Sequence, residues 1–257
     1  MPSQQRTRSQ PMQRARVNGT DLEYVVQGTG EPVVLIHGAL IADAYAPLCA
    51  EPALAAGFQL VRYHRRGYAG SARAAAPFGI AQQAADCLAL LRYLGIERAH
   101  VVGHSSAGTI ALQLALDAPE AVHSLVLLEA ALLDVPSGAL IPDAVGPSIE
   151  RYQAGDTEGA TDGFVRWACG PGYRTHLDRL IPGGFEQAVA DADTWFAVEL
   201  PSLSAPRTAR TGWGIRAASA CVNRHSESDG SSTANQVSAS ATACAKAPGI
   251  SRSRRGR

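Results

Sequence analysis

His100-Val101-Val102-Gly103-His104-Ser105-Ser106-Ala107-Gly108 runs without a break into Thr109-Ile110-Ala111-Leu112-Gln113-Leu114-Ala115-Leu116. The first part is a short apolar, β-branched stretch that stops abruptly in small residues. The second carries an apolar helical pattern. A strand that turns sharply into a helix at Gly-x-Ser-x-Ala holds its serine on a strained elbow, with the hydroxyl exposed at the end of a sheet. Small residues at Gly103 and Ala107 are a steric requirement there, because the strand and helix backbones pass close together. Ser105 is therefore the candidate nucleophile. A related run, Pro32-Val33-Val34-Leu35-Ile36-His37-Gly38-Ala39, precedes it, and His37 and Ser105 lie 68 positions apart.

Reading outward from these two runs gives the fold class. Val17 to Gln27 reads as two short strands joined around Asn18-Gly19-Thr20, a hairpin signal. Pro32–His37 reads as a buried strand, Ala42–Ala56 as irregular helix limited by Pro47 and Pro52, and Phe58–Tyr63 as the next strand. The glycine-bearing loop His64–Ser71 follows. Ile80–Leu94 is an amphipathic helix with Ala84, Cys87, Leu88, Leu91 and Leu94 on one face, closed by Gly95. Ala99–His104 and Ser124–Leu128 are further strands flanking the Ser106–Leu116 helix. This alternation predicts an α/β fold with a mostly parallel, doubly wound sheet. Two βαβ steps of roughly 30 residues fill the interval between His37 and Ser105, so both motifs reach the same carboxyl edge, where open α/β sheets bind ligands.

The 257 residues are 46% apolar and 18% charged, as in globular proteins, with zero formal net charge. That balance points to neither nucleic acid nor membrane as a partner. No apolar run approaches the ~20 residues of a spanning helix. The basic start, residues 1–13, lacks an apolar h-region and reads as a disordered leader, with Met12 as an alternative start. Five cysteines without metal-like or disulfide spacing fit a reducing, cytoplasmic setting, with Cys87 as a small buried thiol.

Residues 14–129 read as the core domain and residues 130–204 as a helical cap, with helical patterns at Ser148–Tyr152, Gly163–Ala168 and Phe185–Val198 and no strand. Residues 205–257 differ from both. They carry nine basic and two acidic residues, and Ile215, Val222, Val237 and Ile250 are their only Ile, Val, Leu or Phe. Such a stretch cannot bury enough apolar area to offset its chain entropy and is expected to be a disordered, basic tail.

Four motifs in order resemble the α/β-hydrolase superfamily, specifically its lidded, serine-nucleophile, esterase-like members. They are His37-Gly38-Ala39, Arg65-Arg66-Gly67-Tyr68-Ala69-Gly70-Ser71, Gly103-His104-Ser105-Ser106-Ala107-Gly108 and Leu127-Leu128-Glu129. The resemblance covers about residues 14–203. It implies Ser105 as nucleophile on a carboxylic ester or related small acyl substrate, with the Ala39 and Ser106 amides as oxyanion donors and no metal or organic cofactor. An aspartate at the elbow would instead indicate a dehalogenase or epoxide hydrolase. Glu129 takes the position that some members use for the triad acid, after the sixth strand; Asp134 is a second candidate. His37 reads as a loop-organising residue, His100 and His104 as structural or solvent-facing, and Arg65-Arg66 as a loop anchor rather than an anion site.

The family's later elements are the exception. Its seventh and eighth strands, and the histidine after the eighth, have no counterpart beyond Leu203. The only late histidine is His225, with no strand before it. One lysine against 22 arginines indicates a GC-rich gene, and a reading frame slipped between about Pro201 and Arg216 would yield this Ala/Arg/Ser-rich composition. A genuine basic tail is the alternative. Two other readings compete with the esterase: a non-catalytic pseudoenzyme or broken gene product, and a cofactor-free perhydrolase or acyltransferase on the same site.

Overall fold

A computed structural model describes residues 11–73, 77–132, 141–203 and 242–246. Strands β1 (Gln13–Val17) and β2 (Thr20–Gln27) form the expected hairpin. Asn18 and Gly19 both have positive φ, 48° and 75°, as a two-residue turn matching the twist of its strands requires. The first strand starts at Gln13, four residues ahead of the expected Val17 and within the stretch read as a leader.

Four parallel strands make the centre of the sheet: β3 (Glu31–Ile36), β4 (Phe58–Tyr63), β5 (Ala99–His104) and β6 (Val122–Leu128). The spatial order of these six strands is β1-β2-β4-β3-β5-β6, with β1 and β2 antiparallel to their neighbours. The chain moves from β3 outward to β4 and then crosses back to β5 on the other side of β3. This reversal creates a topological switch point at the carboxyl ends of β3 and β5. Ile36 pairs with Gly103, so His37-Gly38-Ala39 and His104-Ser105 leave the sheet side by side. The two runs meet where the sequence spacing placed them.

Helices α1 (Ala46–Cys49) and α2 (Pro52–Gly57) replace the single irregular helix expected there, with Pro52 starting the second. Helix α3 (Ile80–Tyr93) buries Ala84, Cys87 and Leu91 as its periodicity predicts, and Gly95 closes it at φ 70°. Burial pushes the Cys87 thiol up to about 12. Helix α4 (Ser106–Asp117) packs Ala107, Ile110, Ala111 and Leu114 into the same core. On the opposite face of the sheet, Leu35 and Leu60 meet Tyr45 and Cys49.

Residues 141–203 are helical: α5 (Ile141–Gln153), α6 (Thr157–Cys169), α7 (Tyr173–Leu180), α8 (Gly184–Ala190), a π-helical stretch Thr194–Glu199 and α9 (Leu200–Leu203). Asp156 caps α6 by accepting from the Gly159 amide. Phe164, Phe185, Trp195 and Phe196 form an aromatic core of their own beneath Leu40, which brings this layer over the His37-Gly38-Ala39 loop. Among the described residues, no helix is long and apolar enough to cross a membrane.

One short element lies within the stretch expected to be disordered. Strand β7 (Thr242–Lys246) pairs antiparallel with β6, Thr242 opposite Leu128. The remainder of residues 204–257 lies outside the described residues.

Candidate active site

Ser105 joins β5 to α4 at φ 53° and ψ −125°, a conformation that L-residues other than glycine rarely adopt. The elbow is held from three directions. The Ser105 amide donates to the Leu128 carbonyl at 2.9 Å, and the Ser105 carbonyl accepts from the Gly108 amide at 2.9 Å and from the Ala131 amide at 3.0 Å. Two of these bonds come from the end of β6 and the segment after it, so the neighbouring strand fixes the strained residue.

The glycines around Ser105 follow from close approach. A Cβ on Gly103 would sit 2.5 Å from the Ala107 carbonyl oxygen and 2.6 Å from the Ala111 Cβ. On Gly108 it would lie 2.4 Å from the Ala130 Cβ. On Gly38 it would lie 3.1 Å from both the Ser105 Cβ and the His104 carbonyl oxygen. The Gly38 backbone thus passes directly against the strand end that carries Ser105. Ser106 is buried at the start of α4; its Oγ has no hydrogen-bond partner among the described residues and lines a small cleft shared with Gln83, Thr109 and Glu199.

His37 is buried and held in one tautomer. Its Nε2 accepts from the Arg65 backbone amide at 3.0 Å, so the proton sits on Nδ1, which donates to the Gly38 carbonyl at 2.8 Å. Burial, with the nearby Arg65 charge, holds it well below the usual histidine range. It is the loop organiser that the sequence indicated. Arg65 completes the arrangement: its Nε donates to the His37 carbonyl at 2.8 Å and its Nη2 to the Gly38 carbonyl at 2.9 Å. Its charge is matched by Glu199, which also accepts from the Tyr68 hydroxyl at 2.7 Å. Arg66 makes a bidentate pair with Asp86, both bonds 2.7 Å. Both arginines therefore anchor the loop through carboxylates of their own chain.

Glu129 follows β6, one residue past the His104–Leu128 pair, and so leaves the sheet beside Ser105. It has positive φ, 45°. Its charge reaches His104 and Cys169. Burial nevertheless dominates at His104 and lowers its proton affinity. Asp134 and His225 lie outside the described residues.

The described histidines have other settings. His64 sits between Glu23 and Asp43, at 3.2 Å from each. His100 and His123 stand near the starts of β5 and β6, at the opposite edge from Ser105. His176 is exposed on α7. None of the described histidines is hydrogen-bonded to Ser105.

A family model for the alpha/beta hydrolase fold matches residues 31–180. The chain belongs to the α/β-hydrolase fold family. Among relatives of this α/β hydrolase, a protein of Azorhizobium caulinodans provisionally named carbamate hydrolase RutD is 37% identical over 117 residues, 46% of this chain and 44% of the relative. Rhodomycin D methylesterase DnrP of Streptomyces peucetius is 37% identical over 117 residues, covering 42% and 39%. The names of other relatives include a soluble epoxide hydrolase and a fluoroacetate dehalogenase. The chain spans about half or less of the length of these relatives. A solved α/β hydrolase from Sphaerobacter thermophilus matches with TM-score 0.59 at 25% identity, covering 77% of each chain.

The two arginines were visible in the sequence of this α/β hydrolase, but their partners were not. Glu199 is 134 positions from Arg65 and carries no local pattern that marks it. The Glu23–His64–Asp43 network likewise joins three separate segments at the strand ends.

Proposed function

We propose that this α/β hydrolase is a serine hydrolase of carboxylic esters or related small acyl substrates, working through an acyl-enzyme. The observation that carries the reading is Ser105 itself, strained at φ 53° at the switch point of the sheet and flanked by glycines that keep the backbone close. In this reading Ser105 Oγ attacks the acyl carbonyl carbon and the carbonyl oxygen becomes an oxyanion. The Ala39 and Ser106 amides donate to it, and each such preorganised donor contributes on the order of 3 kcal/mol to catalysis. Collapse of the intermediate expels the alcohol and leaves an ester on Ser105, which water then hydrolyses.

Glu129 is the proposed acid, supported by its place beside Ser105 at the carboxyl edge. The reading calls for a histidine as base, and the sequence does not identify it; His225 is the one histidine that lies outside the described residues. The names of two relatives, a carbamate hydrolase and a methylesterase, support acyl chemistry. A cytoplasmic setting belongs to the same proposal, and the free thiols of Cys49, Cys87 and Cys169 agree with it.

A second reading is favoured by one observation: none of the described histidines is hydrogen-bonded to Ser105. On that reading the chain is a catalytically silent relative, consistent with a frame that slipped after residue 200. Turnover of a p-nitrophenyl acyl ester by the full chain and by Ser105→Ala separates the two. Hydrolysis lost in the variant supports the serine hydrolase; equal rates in a folded protein overturn it.

A further inference from the structure

At the amino edge of the sheet, far from Ser105, three potential metal ligands come together. Glu31 opens β3, His100 is the second residue of β5 and His123 the second of β6, three adjacent strands in the order β3-β5-β6. We propose that Glu31, His100 and His123 form a binding site for a divalent transition-metal ion such as Zn²⁺. The carboxylate oxygen and the two imidazole nitrogens lie within 4.8 Å of one another. Two imidazoles and a carboxylate suit zinc, nickel or copper better than calcium or magnesium, which prefer all-oxygen sites.

The backbone contributes directly. Ala99 pairs with Val122, but the next residue, His100, pairs with Ser124, which leaves His123 as an extra residue on β6. Such a bulge re-aims side chains, and here the His100 and His123 rings come to 4.5 Å between centroids at 76°. Straight pairing would have placed His123 opposite His100 on a shared ladder and moved Ser124 one position on.

The contacts of His100 are those of a ligand with an oriented ring. Its Nε2 lies 3.1 Å from Glu31 Oε2, and its Nδ1 lies 2.7 Å from Ser124 Oγ. Ligand atoms around a tetrahedral zinc with bonds of ~2.0–2.1 Å are about 3.3 Å apart. The Glu31–His100 edge is therefore already at ligating separation, and closing the triangle needs only small rotations of Glu31 and His123, both exposed. On metal binding, Nε2 gives its lone pair to the ion and Nδ1–H donates to Ser124, the outer hydrogen bond that metal-bound histidines usually make.

The site is not part of the acyl chemistry. Ser105 lies five positions beyond His100, about 16 Å at ~3.3 Å per residue along the strand. A bound ion would tie together the starts of three strands and, by binding the folded chain alone, raise its unfolding temperature.

Isothermal titration of the full chain with ZnCl₂ tests this, after EDTA treatment, removal of the chelator and capping of accessible thiols with iodoacetamide. The expected result is one equivalent of Zn²⁺ whose affinity falls at least tenfold in His123→Ala and in Glu31→Gln, two exposed positions where folding is not at stake. Ser124→Ala, which leaves all three ligands in place, should weaken binding by about tenfold. His176→Ala, an exposed histidine on the cap, should leave binding unchanged. If His123→Ala and Glu31→Gln bind as the unaltered chain does, or if neither they nor the unaltered chain takes up Zn²⁺, the site does not exist.

Discussion

Glu199→Ala is the perturbation that most directly tests how the helical layer is fastened to the sheet. Glu199 is buried beside Arg65, which is itself 1% exposed. The substitution removes both carboxylate contacts to the guanidinium and the 2.7 Å bond from the Tyr68 hydroxyl. Arg65 keeps its bonds to the His37 and Gly38 carbonyls, but its charge is left buried without a counter-ion. Breaking one half of a buried pair in this way costs about 3–5 kcal/mol. At roughly 2–4 °C per kcal/mol for a domain of this size, the unfolding midpoint should fall by about 6–20 °C. Urea unfolding followed by tryptophan fluorescence suits the measurement, because Trp195 lies one helical turn from Glu199. Arg166→Ala, which breaks the exposed Arg166–Asp162 pair and leaves the Tyr173–Asp162 hydrogen bond in place, provides the scale, and pairs of that kind contribute only about 0.3–0.5 kcal/mol. Should Glu199→Ala cost no more than Arg166→Ala, the buried pair is not what joins the two layers.

Other consequences concern the elbow and its support. Ser105→Gly relieves a positive φ worth about 1–2 kcal/mol while adding ~0.5–1 kcal/mol of chain entropy, so the variant should be as stable as the parent or slightly more so in urea. A clear loss of stability would mean that Ser105 is not strained. Gly103→Ala pushes a methyl into the Ala107 carbonyl and should cost about 1–3 kcal/mol by thermal unfolding; a neutral result would contradict the close packing of β5 and α4. Acidification should destabilise the chain through His37. Above about pH 6.5 the residue is neutral in both states; below it only the unfolded chain takes the proton, because the folded value is depressed. Stability should therefore fall between pH 6.5 and 5 by up to about 1.4 kcal/mol per pH unit from this group. His37→Gln should flatten that slope, and an unchanged slope would argue against a buried neutral imidazole.

Local pattern carried most of the fold. The switch point was readable because β-branched strands, their abrupt ends and the 68-residue interval are all properties of short segments. The hairpin at Asn18-Gly19 and the buried face of α3 were readable for the same reason. Helix α5 was read only from Ser148 onward, because Pro147 interrupts the propensity of a helix that packing carries through it. Strand β7 escaped notice because Thr242-Ala243-Cys244-Ala245-Lys246 has no apolar alternation; it is defined by pairing with the edge of β6. At the site, Ser105, His37 and the loop arginines were visible in their motifs. Glu199 was not, since burial beside Arg65 depends on how a remote helical turn lands. The Glu31–His100–His123 group depended on strand order and on a one-residue bulge, neither of which one sequence displays.

The central claim is that Ser105 is an activated nucleophile, and covalent labelling by a fluorophosphonate addresses it without knowledge of the substrate. The full chain and Ser105→Ala should be treated side by side, with cooperative thermal unfolding of both confirming that each is folded. The parent chain should be labelled at Ser105 and the variant should not. A folded parent chain that resists the probe, or labelling that survives in Ser105→Ala, would contradict the claim.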